Sequence, residues 1–487
     1  MKTLTLAAVL AVSLFGPTAV AGDFASSLRS VYPSLSYVEH YRDAYPQDVV
    51  GSTAAWQDNA LKQGVSTPAA VTQLLTGLAD QHVALSGPKA GKTETLGVLF
   101  RTSSDGQMVV WRILDPAVTS LSIGDKVLAI DDVTTPEWLR LAAALTFGGN
   151  QRSRQAEAAL SLALGTPAVH EVAGLGQSVN LRVQSGHGPQ RNVRMAYQPM
   201  TSALAGSLAV AVDKPDLPMV MRVGKRQIGT IRIGAFAPQY DPVFTAAAEA
   251  VEKSSVGSEE TDAPMLAGFC AVTQKLIERY DALSSKTDFI LIDLRGNMGG
   301  FAREVRGFAW ALTGKKPEKT YDMVVSGQPG TVRLQELPED PGCGVVRTPK
   351  PLLVLIDAGT RSSGELLATY LWESGATVVG ERTIGAGGGR DSQSKGIPVG
   401  DSGYNALVSE DFYVFDPTSE LHPGEIDEQR LIDRVAADRF APSHLRPYMT
   451  QAVGVLPDIV QLIEASDLED GGQRLVERSI AGMRPAL

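Results

Sequence analysis

Residues 288–300 read DFILIDLRGNMGG, and residues 356–365 read IDAGTRSSGE. In each stretch an apolar run of strand length delivers a loop of small and polar residues, and the second loop passes straight into the helical pattern ELLATYLWE. Two strand-and-loop units of this kind can set a nucleophile beside main chain that stabilises an oxyanion. Ser362, near the predicted helix N-terminus, is the candidate nucleophile, because unsatisfied first-turn amides and the positive end of the helix dipole face any charge developing there. Serine at such a junction is also a common helix cap, so this loop alone does not decide the matter. The partner loop does. Asn297, Met298, Gly299 and Gly300 follow a buried strand, and adjacent glycines let the main chain approach a ligand closely. The expected oxyanion donors are the amide of Gly299 or Gly300 together with that of Ser363, each worth ~3 kcal/mol when correctly placed.

Around this centre the chain alternates apolar strands and amphipathic helices from Val220 onward: QIGTIRIGAF, FTAAAEAVEKS and LAGFCAVTQKLIERY precede the first quoted stretch. That is an α/β core, assigned to residues 201–487. Residues 92–200 differ. They are rich in short strands and Gly, Pro and Asp turns, with an Ala/Leu-rich helix between Ala156 and Leu164, and read as a separate β-rich domain. Residues 22–91 read as a helical segment in which Val71, Leu74, Leu75 and Leu78 share one face before a break at Asp80, Gln81 and His82.

The chain has 487 residues, is 44% hydrophobic and carries a formal charge of −10. This is enough to build large cores, and the absence of a basic run argues against nucleic-acid or anionic-lipid partners. Lys2, the apolar run from Leu4 to Phe15 and the sequence Ala19-Val20-Ala21 form a secretory signal over residues 1–21. The run is short of the ~20 residues that span a bilayer. The mature chain is therefore expected to begin near Gly22, to be periplasmic or extracellular, and to hold no integral membrane segment. Cys270 and Cys343, the two cysteines, could pair in such a compartment, although sequence leaves their separation in space open. No H-E-x-x-H or C-x-x-C pattern is present, so neither metal nor cofactor is expected. The run Gly385 to Gly389 lacks the G-K-[ST] of a phosphate cradle, and Thr360 stands where a G-x-S-x-G elbow needs glycine.

LGVLF at residues 96–100 and SIGDKVLAIDD at 122–132 resemble the signature stretches of a PDZ domain. The resemblance implies that the amides of Gly97, Val98 and Leu99 hold a peptide's C-terminal carboxylate while the peptide joins the sheet edge. LIDLRGNMGG, LVLIDAGTRSSGELLA (353–368), VVGERTIGAGGG (378–389) and GVLPDIV (454–460) occur in the order found in the C-terminal-processing, or tail-specific, protease family, which this chain resembles over most of its mature length. That likeness implies a crotonase-like α/β peptidase core with an N-terminal helical segment and an inserted PDZ-like domain. It also implies serine endopeptidase activity on extended polypeptide through an acyl-enzyme on Ser362.

One departure shapes the mechanism. The best-known members use a Ser-Lys dyad, and their lysine position is Ala386 here; neither Arg390 nor Lys395 falls in its place. LLTGLADQHVALSG (74–87) instead resembles the D-x-H motif of the family's Ser-His branch, which includes the tricorn core protease and the chlamydial protease-like activity factor. By that resemblance His82 is the general base, histidine being suited to moving protons near neutral pH. His40, His170, His187, His422 and His444 lie in no family motif. The group that orients the imidazole corresponds to Gln451, with Glu420 as the alternative. A silent member that uses the same groove as a peptide- or ligand-binding module is the competing reading, and an oligomer is compatible with either.

Overall fold

The computed structural model describes residues 72, 75–78, 80–86, 94–165, 170, 176–254, 263–317, 320–325, 331–336, 342–389, 396–399, 403–415, 424–427, 450–451 and 454–482. The signal segment, most of the N-terminal helical segment, Arg390, Lys395, Glu420 and His422 lie outside them.

The first described strand, β1 (Ala84–Ser86), departs from the helical reading of its segment. It pairs antiparallel with residues 405–407, Leu85 opposite Ala406, and so fastens the chain just after His82 to a strand far along the sequence. A β-rich unit follows. Strands β2 (Val98–Thr102), β3 (Met108–Ile113), β4 (Lys126–Ile130), β5 (Ser178–Gln184) and β6 (Gln190–Ala196) form one sheet in that spatial order, with a short strand at 133–134 beside β4. Along β5 buried Val179, Leu181 and Val183 alternate with exposed Asn180 and Arg182, as in a sheet with one covered face. Helix α1 (Gln151–Leu164) packs against β2 and covers that face with Ala158, Ala159 and Leu162. Its start is fixed by Asn150, whose side chain accepts from the Ser153 amide while Ser153 Oγ reaches back, a reciprocal cap.

The second unit is built on a six-stranded sheet. β7 (Val220–Val223) runs antiparallel to β8 (Arg226–Arg232), and beyond it β8, β9 (Phe289–Asp293), β10 (Leu352–Ile356), β11 (Thr377–Gly380) and a short strand at Ile459–Val460 run parallel. β9 is buried at every position, which explains its uninterrupted apolar sequence: parallel strands covered on both faces show no alternation. Ile231, Ile292, Val354 and Val378 stand in register on one face and pack against α2 (Ala263–Ser284), α3 (Ala302–Thr313) and α4 (Ser363–Glu373). On the other face Ile228, Leu291, Leu353 and Val379 meet Leu475 and Val476 of α5 (Gln473–Gly482).

Cys270 on α2 and Cys343 before β10 form a disulfide, with Cα atoms 5.0 Å apart and a sequence separation of 73. This settles a pairing that sequence left open. Closing a loop of that size constrains the unfolded chain by about 4 kcal/mol. Cys343→Ser is accordingly expected to lower the free energy of denaturant unfolding by several kcal/mol, with most of the loss reproduced by reducing the wild-type protein.

The two units are latched by charge. Asp216 accepts from Trp111 Nε1 and pairs with Arg101 (3.0 Å) and Arg112 (2.6 Å). Arg101 also donates to the Arg295 carbonyl at 3.3 Å, within the loop that follows β9. Arg152 on α1 donates to the Thr102 carbonyl at 2.6 Å and to Glu381, just past β11, at 3.1 Å.

Candidate active site

Three parallel strands end on the same side of the core sheet, and the loops they release meet there. Ligands of open α/β sheets commonly sit at such carboxyl ends. The loop after β9 is held by Asn297, fully buried, whose Nδ2 donates to the Ile233 carbonyl at 2.9 Å and whose own carbonyl accepts from the Arg361 amide at 3.1 Å. The loop after β10 is tied to it by Thr360 Oγ1 donating to the Leu294 carbonyl (2.9 Å) and Asp357 Oδ1 accepting from the Gly296 amide (2.7 Å). Their approach is so close that a Cβ on Gly299 would lie 2.7 Å from that of Ser362, so glycine is required there by space as well as by its φ of +76°.

Ser362 is the N-cap of α4, with φ +50° and ψ −124°, backbone angles that L side chains rarely adopt. Such strain persists only where surroundings impose it. Here the Ser362 amide donates to Glu365 Oε2 at 3.0 Å, and Ser363 Oγ donates to the Gly300 carbonyl at 2.7 Å. The Ser362 side chain is left to face His82, whose Nε2 is 3.2 Å from Ser362 Oγ.

His82 arrives from the other end of the sequence, after a 3₁₀ turn at Thr76–Leu78 and immediately before β1. Its amide donates to Asp80 Oδ1 at 2.9 Å, and its Nδ1 lies 3.6 Å from the same oxygen. Asp80 is completely buried, and its Oδ2 also accepts from the Ser409 amide at 3.4 Å. Burial pushes this carboxyl up, but hydrogen bonds from His82 and Ser409 and the positive charge that the imidazole can carry hold it below the ordinary carboxylate range. Asp411 is a second carboxylate close enough to feel His82; burial raises it and the imidazole pulls it back.

The remaining predicted residues distribute as follows. Gln451 is fully buried and its Oε1 accepts from the Gly387 amide at 3.1 Å, so part of its hydrogen-bonding capacity serves the loop after β11. The Gly299 amide donates to Asn297 Oδ1 at 2.8 Å and is therefore already committed. The amides of Gly300 and Ser363, in contrast, donate to no group among the described residues, and Gly300 is exposed. Ala386 is completely buried, its amide turned to Glu365. Gly97, Val98 and Leu99 open strand β2, an edge of its sheet; the Gly97 amide donates to Thr95 Oγ1 at 3.0 Å, while Val98 and Leu99 pair with Ile113 and Arg112 on β3. A cleft beside β2 runs between Leu99 and Arg101 on one wall, Arg152 and Ala156 of α1 on another, and Met298 and Arg361 of the core loops.

Asp80 was legible as part of the D-x-H sequence but not as the carboxylate beside the imidazole. Glu365 carried only the signal of an acidic residue in a helix's first turn. No cluster of His, Cys, Asp and Glu suited to a metal ion occurs among the described residues.

Residues 227–413 match Peptidase family S41. The match is to a family of serine-type peptidases, the tail-specific proteases, and the matched segment contains both loops and Ser362. Its fold is similar to that of mature CPAF complexed with lactacystin, at 15% identity and a TM-score of 0.60, covering 95% of this chain and 98% of that one. A CPAF S499A mutant gives 16% identity and a TM-score of 0.59, covering 95% and 97% respectively. No curated protein sequence matches the chain. The mixed α/β architecture is thus that of family S41, and polypeptide is the substrate class the family implies.

Proposed function

We propose that this protein is an exported serine endopeptidase in which Ser362 is the nucleophile and His82 the general base. The observation that carries the reading is the 3.2 Å approach of His82 Nε2 to Ser362 Oγ. As the Oγ–C bond forms to the scissile carbonyl, Nε2 takes the hydroxyl proton, and the oxyanion accepts from the amides of Gly300 and Ser363. When the tetrahedral intermediate collapses, the C–N bond breaks and His82 returns the proton to the departing amine, leaving an ester on Ser362. Water, deprotonated by the same imidazole, hydrolyses that ester. Asp80 takes the orienting part assigned to Gln451 by resemblance, favouring the Nδ1–H tautomer and stabilising the imidazolium, and Gln451 braces the loop beside it. Gly299 supports the oxyanion loop without donating to the substrate, because its amide serves Asn297.

The crotonase-like character of the core and the PDZ-like character of residues 92–200 belong to the same proposal. A polypeptide that added a strand at β2 would lie in the cleft bounded by Met298 and Arg361, next to the catalytic loops. Export is supported by the disulfide, a bond suited to oxidising compartments, and by the N-terminal signal. No described helix is long and apolar enough to cross a membrane.

A fluorophosphonate probe tests the reading. The wild-type protein is expected to take up one equivalent on Ser362, and Ser362→Ala to take up none while keeping its circular dichroism. Folded wild-type protein that stays unlabelled under conditions that label a control serine peptidase would refute it.

A further inference from the structure

Glu365 is buried completely, and every neighbour that meets its carboxyl group is a donor. Oε2 accepts from the amides of Ser362 (3.0 Å) and Ala386 (2.7 Å); Oε1 accepts from the amide of Gly385 (2.8 Å) and from Thr383 Oγ1. Thr383 Oγ1 in turn accepts from the Val455 amide at 2.6 Å. The carboxylate therefore joins the nucleophile's own backbone to residues 383–386, the loop released by β11, at the place where lysine-dependent relatives put their base. We infer that Glu365 is a positioning residue whose ionised form holds Ser362 in its strained, reactive conformation against that loop. This rests on the reading of Ser362 and His82 given above.

The chemistry of the cage explains why charge matters. An ionised carboxylate offers only acceptors, which suits four donors; a protonated one can place its hydrogen only against Thr383 Oγ1, which already accepts from the Val455 amide, and loses the charge that strengthens the three bonds from main-chain amides. The four groups that donate to it, from α4 and from residues 383–386, are neutral; among the titratable residues of the site His82 meets Ser362 Oγ, and Asp80 and Asp411 interact with His82. Burial pushes the Glu365 carboxyl up to about 6, its four hydrogen bonds restraining the rise. Protonation should thus release Ser362 as pH falls through that region.

The test is the acid limb of log(kcat/KM) against pH for hydrolysis of an unfolded polypeptide. Glu365 contributes one required deprotonation to the wild-type limb. Glu365→Gln is expected to lose that contribution, giving a shallower limb, and to show a pH-independent kcat about 10²-fold lower, with KM little changed, because the nucleophile is misplaced and not the substrate. Glu365→Asp, which keeps the charge, is expected to recover part of kcat and the steeper limb. A Gln variant with the wild-type limb and kcat overturns the inference, and if the Gln variant fails to fold, an Asp variant whose limb and kcat are both unchanged from wild type although its shorter side chain cannot span the cage overturns it too. Failure of the Ser362 assignment would show separately, as absence of wild-type fluorophosphonate labelling.

Discussion

His82→Ala should reduce kcat for polypeptide hydrolysis by roughly 10⁴- to 10⁶-fold while leaving KM within a few-fold of wild type, the pattern expected when a base that acts only in the transition state is removed. The imidazole's side chain is 21% exposed at the edge of the cleft, so its loss creates no large void, and the variant should retain wild-type circular dichroism and thermal unfolding. Fluorophosphonate labelling should slow in parallel, since the probe also needs the Ser362 proton removed. Steady-state rates within tenfold of wild type would show that another group moves that proton, and would detach His82 from the mechanism despite its 3.2 Å approach to Ser362 Oγ.

Asp80→Asn is the second large effect. An amide side chain can still accept from the His82 amide through its oxygen, but its NH2 then faces the Ser409 amide and that long bond is lost, and it cannot stabilise an imidazolium by charge. In the serine-protease template this exchange costs ~10⁴ in kcat. Here Nδ1 and Oδ1 are 3.6 Å apart, looser than a hydrogen bond, and a loss of roughly 10²- to 10³-fold is expected, again in kcat. Stability gives an independent readout. The Asp80 pKa is depressed in the folded protein, so its contribution is present above the unfolded carboxylate range and is lost as pH falls through the folded value. Acid titration of thermal stability should therefore be shallower in Asp80→Asn, and identical curves for the two proteins would remove Asp80 from the imidazole's electrostatic environment.

What the sequence disclosed and what it withheld follow from the range of the interactions involved. β9 and the loop to Gly300 were readable because both depend on local pattern: an apolar run for a strand covered on both faces, then glycines where two loops touch. The same logic singled out Ser362, and a short D-x-H sequence singled out His82; that the two side chains lie 3.2 Å apart no local pattern encodes. Asp80 was in view but miscast, since only the turn before β1 brings its carboxylate back toward the ring two residues later. Whether Gly299 or Gly300 keeps a vacant amide is decided by the Asn297 side chain, which no periodicity encodes. Glu365 looked like an ordinary acidic residue at a helix start. Its cage exists only when residues 383–386 fold over it from the next strand. The disulfide likewise needed the packing of α2 beside the segment before β10.

The antiparallel pairing of β1 with residues 405–407 has a consequence for the life of the chain. His82 and Ser362 are separated by 280 positions, and the stretch that carries the histidine is stitched to a partner that emerges from the ribosome later than the serine does. A nascent or truncated polypeptide ending before that partner possesses both reactive groups but has nothing to clamp one against the other. If His82 is the base, as proposed, hydrolytic competence waits until residues 405–407 have been made.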